Sequence, residues 1–155
     1  AVKEILLRAT ADDVNYQATN ENQRTALAKA AILGNCEILQ EILKHPGLDP
    51  NLPNKFKVLP LMSAFTGEIT KLLLAHPKVN ANEKGKVRSF LFACEEGNVG
   101  IIDVFLAHEG FNVNAQNEDG VSGFMFAVIN KQIAAVNKLL AHPQININMQ
   151  DNSGF

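Results

Sequence analysis

Two cysteines, Cys36 and Cys94, are all that this 155-residue chain has for disulfide chemistry, which fits a reducing, cytoplasmic setting better than a disulfide scaffold. Charge is sparse as well. Charged residues make up 19% of the chain, below the roughly 25% of an average soluble domain, and a formal net charge of -2 gives no global attraction for nucleic acid or an anionic membrane. A polyanion partner would need a local patch. Long apolar runs are also missing: stretches such as Leu72 to Ala75 fall far short of the ~20 residues needed to cross a bilayer, so no membrane insertion is expected. Residues 1–10 have neither the basic region nor the small-residue cleavage site of a secretory signal. What the chain does have is enough apolar material for a core, 46% at a mean hydropathy of -0.01, which excludes disorder as the main state.

Histidine is scarce too, but its four copies keep a fixed rhythm: His45, His76, His108 and His142 are each followed, at the sixth place on, by an asparagine, Asn51, Asn82, Asn114 and Asn148. Between them sit an apolar residue at the third place (Leu48, Val79, Phe111, Ile145) and an Asp or Asn at the fourth (Asp49, Asn80, Asn112, Asn146). The array repeats with each histidine, and a recurrence within the range of roughly 20–50 residues means stacked supersecondary units rather than one closed core.

Residues 114–147 give the clearest unit. Asn117-Glu118-Asp119-Gly120 has turn composition, so a hairpin-like loop is expected there. Ser122 can N-cap a short helix through Ile129 whose bulky and small apolar residues pack on both sides, an inner helix. Ile133, Val136, Leu139 and Leu140 then form the stripe of a half-exposed outer helix. Pro143 disfavours helix at the residue before it, leaving His142 as the last possible helical position. Residues 24–45 align with 87–108 without a gap: Leu27 with Phe90, Ala31 with Cys94, Gly34 with Gly97, Ile38-Leu39 with Ile101-Ile102. The stretch from Leu61 to His76 is shorter than its counterparts, Leu27 to His45, Phe90 to His108 and Phe124 to His142. The deficit is about one helical turn, so the second inner helix should be short.

A loop, a short helix opened by Thr or Ser, a second helix ending Leu-Leu and a closing Asp/Asn-x-Asn resemble the ankyrin repeat, whose unit is roughly 33 residues long. The best pieces are Thr25-Ala26-Leu27-Ala28-Lys29-Ala30-Ala31 with Gly34, Leu59-Pro60-Leu61-Met62-Ser63-Ala64, and Asn117 to Ser122. The resemblance implies an all-α solenoid of helix-turn-helix units with hairpin-like loops. It divides into a partial repeat at 1–14 (an outer helix from Val2 to Leu7 and its turn), repeats at 15–50, 51–81 (shortened), 82–113 and 114–147, and the start of a further repeat at 148–155. A monomeric segment of a longer repeat protein is therefore expected. The signature histidine of the family is replaced by Ala28, Met62, Leu91 and Met125, so stability must lean more on packing.

Little in the chain points to chemistry. Equivalent histidines on stacked helices stand roughly 8–10 Å apart, too far to converge on one metal ion, and helix C-capping suits them better. Cys36 and Cys94 take apolar positions of the repeat and are expected to be small buried hydrophobes. Glu83 to Ser89 has the flavour of a phosphate loop but lacks its first glycine and its Ser/Thr. We expect no enzyme, no cofactor and no metal.

The resemblance instead implies a protein-interaction module with its partner on a concave face of hairpin tips and inner helices. Carried over position by position, the contact residues are Gln23, Arg24, Ile32 and Leu33; Lys55, Phe56 and Val58; Lys84, Lys86, Val87, Glu95 and Glu96; and Glu118, Asp119, Val121, Ile129 and Asn130. The charges are sorted, basic on the middle tips and acidic beyond them, which suggests an acidic partner segment near the former and a basic one near the latter. Two other readings stand beside this one: a targeting or substrate-recruiting arm of a larger enzyme or effector, and basic-tip binding of nucleic acid or anionic lipid. Asp13-Val14-Asn15 also resembles the pattern at which ankyrin asparagines are hydroxylated, making Asn15 a candidate.

Overall fold

The computed structural model describes residues 8–19 and 22–154; the outer helix expected at 2–7 lies outside them. Among the described residues the structure is helical, with one isolated antiparallel bridge between Gln116 and Ser122. The chain forms two compact units, Ala1–Asn80 and Ala81–Phe155.

In the first unit α1 (Ala11–Val14) precedes the pair α2 (Ala26–Leu33) and α3 (Cys36–Leu43), then a single 3-10 turn at Leu61–Ser63 and α4 (Gly67–Leu74). Each of the three longer helices starts with a side-chain oxygen for an otherwise orphaned amide: Thr25 accepts from Ala28 N–H at 3.2 Å, Asn35 from Ile38 at 3.0 Å and Thr66 from Ile69 at 3.4 Å. Leu27, Ala30 and Ala31 on α2 are buried, as are Leu39 and Ile42 on α3 and Ile69, Leu73 and Leu74 on α4. The second inner helix has shrunk to that 3-10 turn, as the missing length requires.

The second unit runs α5 (Lys84–Glu96), α6 (Val99–Leu106), α7 (Gly123–Ile129) and α8 (Ile133–Leu140). Its core centres on Phe90, Phe105 and Phe111, whose ring centroids lie 5.6, 4.9 and 5.0 Å apart in tilted and edge-on pairs, favourable quadrupole geometries. Ile102, Val113, Ala127, Ala135 and Leu139 are among the side chains buried in the same unit. Gly123 lets α7 approach α5 closely. A Cβ there would sit 2.6 Å from Phe90 Cε1 and 2.9 Å from Cys94 Sγ. Met125 stands at the signature-histidine position, and its buried sulfur accepts the Ser122 N–H at 3.3 Å while Ser122 Oγ accepts the Met125 N–H at 3.3 Å.

One expectation fails at α5. Lys84, Lys86 and Val87, expected on a hairpin tip, instead lie in a 13-residue helix starting at Lys84. The segment from Asn82 to Phe90 is shorter than its counterpart from Asn114 to Phe124, which leaves too little chain to go out and back.

Candidate interaction surface

The outer helices end at Leu43, Leu74, Leu106 and Leu140, just before each histidine. The imidazole therefore does not cap the helix; it closes the turn that follows. Nδ1 of His45, His76 and His142 accepts the N–H of the second residue on, from Gly47 at 3.2 Å, Lys78 at 3.3 Å and Gln144 at 3.3 Å. An accepting Nδ1 puts the ring proton on Nε2, which in His45 faces Ala9 O at 3.0 Å. Burial, and next the Lys78 ammonium, hold His76 below the ordinary histidine pKa.

The asparagines reach from one turn to the next. Asn15 Nδ2 donates to Gly47 O at 2.8 Å and Asn15 Oδ1 accepts the Asp49 N–H at 2.8 Å. Asn82 bridges to Gly110 O and Asn112 N–H at 2.7 and 2.8 Å, and Asn114 to Gln144 O and Asn146 N–H at 2.8 Å each. Asn51 makes the donor half, to Lys78 O at 2.9 Å. Each two-ended amide thus satisfies one acceptor and one donor of the next turn. These turns are scaffold, and they position the hairpin tips.

The tips repeat one design. Asn54 N–H donates to Val58 O at 3.0 Å and Asn117 N–H to Val121 O at 3.0 Å. In the first unit Gln23, Lys55 and Phe56 are exposed, Arg24 and Val58 half-buried. In the second Glu118 and Asp119 are exposed and Val121 half-buried. At the inner-helix ends Leu33 is 67% exposed and Ile129 54%; Glu96 and Asn130 are exposed, Ile32 and Glu95 half-buried. Lys84 is exposed near the start of α5.

Lys86 and Val87 do not belong to this surface. With no hairpin to display them they turn inward on α5, 2% and 6% exposed, and the Lys86 ammonium pairs with Glu83. Phe92, half exposed at 50%, escapes the sequence reading although it occupies the place of Lys29 in the gapless match, a position whose lysine already marks it as facing water. Tyr16 and Val128 are exposed as well. Cys94 is buried as expected, whereas Cys36 is only half-buried. Burial pushes both thiols up, and the Glu68 carboxylate adds to this at Cys36, so neither is an activated nucleophile.

No helix among the described residues is long and apolar enough to cross a membrane. A search of curated proteins returned no match. A solved ankyrin repeat protein, EF0377, superposes with a TM-score of 0.79 at 24% identity over 99% of this chain and 79% of its own, one of 181 matching chains. A model of three ankyrin repeats matches residues 61–151, more than half of the chain, and a single-repeat model matches 22–52. With helix pairs, clamped turns and these matches in register, the chain belongs to the ankyrin repeat family.

Proposed function

We propose that this protein is a non-catalytic interaction module that holds a partner protein on its hairpin tips and inner-helix faces. Ankyrin repeats are in general protein-protein interaction modules, and the observation that carries the reading to these residues is large apolar side chains left in water on inner helices. Leu33, Phe92 and Ile129 are 67, 50 and 54% exposed. The helices holding them bury their other faces, so these side chains are not needed for folding. Apolar anchors ringed by polar groups are the usual make-up of a binding patch.

Charge divides by unit. Ala1–Asn80 has nine basic and eight acidic residues, Ala81–Phe155 five and eight. Glu95, Glu96, Glu118 and Asp119, in no ion pair among the described residues, favour a basic partner segment on the second unit. Affinity purification with mass spectrometry, comparing the native chain with Leu33→Asp, Phe92→Asp and Ile129→Asp, tests the reading. Partners should fall away in at least one variant that keeps its helical circular dichroism. If all three variants retain every partner, these side chains are not the interface.

Asn15 hydroxylation would act on a residue whose amide is tied at both ends. Intact-mass analysis from oxygenase-containing cells should show an added oxygen on a fraction of the chains if it occurs.

A further inference from the structure

The hairpin at 54–58 has a twin at 117–121. In each, one asparagine oxygen accepts two amides: Asn54 Oδ1 from Phe56 and Val58 at 2.9 and 3.0 Å, Asn117 Oδ1 from Asp119 and Val121 at 3.0 and 2.8 Å. The fourth residue of each is left-handed, with φ +78° at Gly120 and +60° at Lys57. Glycine adopts that conformation without steric cost, whereas a lysine Cβ crowds the following carbonyl. Folding alone favours glycine at position 57, yet a cation is there.

Its neighbours point the same way. Phe56, where the twin has Asp119, is 63% exposed, and the Lys55 ammonium lies 4.8 Å from its ring centroid, a cation–π distance. The tip is thus an aromatic residue flanked by two lysines. Neither Lys55 nor Lys57 is in an ion pair among the described residues. Lys55 N–H donates to Asn22 O at 3.3 Å, seating the tip beside the segment that carries the half-buried Arg24.

We propose that the 55–57 tip is a recognition element for an acidic segment of a partner protein that carries an aromatic or aliphatic side chain among its carboxylates. This rests on the interaction-module reading and names the partner's chemistry. The carboxylates complement Lys55 and Lys57, and the apolar side chain covers the ring of Phe56. The asparagine clamp fixes the tip in advance, so little ordering cost falls due on binding.

The test pans a displayed library of random dodecapeptides over the whole chain and measures selected peptides by fluorescence anisotropy. Enriched peptides should be rich in Asp and Glu around an aromatic residue or leucine. Phe56→Ala should weaken them about tenfold, and Lys55→Glu with Lys57→Glu should abolish binding. Lys57→Gly is the diagnostic variant: the melting temperature should rise by about 2–4 °C while peptide binding weakens. Lys131→Gly serves as control. Lys131, at φ +57°, fills the left-handed slot that Gly34 and Gly97 occupy in other repeats, so its replacement should raise the melting temperature and leave binding alone.

Enriched peptides that are not acidic, or acidic ones indifferent to Phe56→Ala and Lys57→Gly, would overturn the proposal while leaving an interaction module that binds elsewhere. No enrichment at all would overturn the proposal as well, while partner capture by affinity purification still decides the interaction-module reading. Phe56-dependent binding of phosphatidylserine vesicles or an oligothymidine in preference to every peptide would also overturn it, assigning the tip to a lipid surface or nucleic acid.

Discussion

Gly123→Ala sets two effects against each other. Glycine in a helix interior is worse than alanine by up to about 1 kcal/mol, and by less at the first position of α7 where Gly123 sits, so propensity alone has the substitution stabilise α7 slightly. Sterics oppose it. The new Cβ would meet Phe90 Cε1 at 2.6 Å, Phe90 Cζ at 3.2 Å and Cys94 Sγ at 2.9 Å, inside ordinary contact distances. Phe90 and Cys94 are fully buried, and Phe90 is held by two further rings. Relief must come from moving α7 away from α5, and overpacking of this kind costs typically about 1–3 kcal/mol. The sterics win, and we expect a net loss of about 1–2 kcal/mol, or roughly 2–8 °C at about 2–4 °C per kcal/mol for a chain of this size. Urea and thermal denaturation followed by circular dichroism measure it, and Phe90→Leu in the same background should absorb part of the loss as a coupling energy. A Gly123→Ala protein more stable than the native one would refute the close-contact account of α5 and α7.

Asn15→Ala removes two part-buried bonds of 2.8 Å and should cost about 1–3 kcal/mol, more than Asn114→Ala, whose bonds are exposed and replaceable by water; equal urea midpoints for the two variants would contradict this. His76 has a folded-state pKa below its ordinary 6.5, so the unfolded chain takes up the proton first. The stability it contributes is whole above about pH 6.5 and drains away as pH falls below that value. His76→Gln should flatten the decline in urea midpoint between about pH 7.5 and about pH 5.5, and a slope identical to the native one would count against it. Lys86 is a buried cation paired with a mostly exposed Glu83. Lys86→Met should therefore be neutral or slightly stabilising, whereas Glu83→Gln, which strands the charge, should cost about 1–2 kcal/mol; the reverse order in thermal melts would sink this reading.

The repeat frame was legible because its signals are local. Ser122 and Thr25 cap the helices where a short polar side chain precedes an apolar run, and the shortened second repeat followed from counting along the chain. The start of α5 was not legible. Lys84, Lys86 and Val87 read as tip residues when the register of the other copies is imposed. The missing length removes the hairpin, and the chain coils instead, carrying Lys86 and Val87 inward. The asparagines were visible as a rhythm but not as bridges, because an amide side chain can bond to its own turn or to the turn of the next repeat, and composition does not separate the two. Phe56 and Phe92 differ in the same way: both are exposed, but only Phe56 stands out in the sequence, because lysines flank it whereas Phe92 is embedded in a helix of apolar neighbours.

The asparagine bridges also bear on how the molecule breathes. Loop amides ordinarily trade their protons with solvent fastest, but the N–H groups of Asp49, Asn112 and Asn146 are held by a side chain from the preceding turn. The part-buried Asp49 amide should take up deuterium mainly when its turn separates from that of Asn15, and the exposed Asn112 and Asn146 amides should do so sooner. In this chain the slowest-exchanging loop protons should therefore report the opening of the stack, and each turn becomes a built-in gauge of whether its neighbour is still in place.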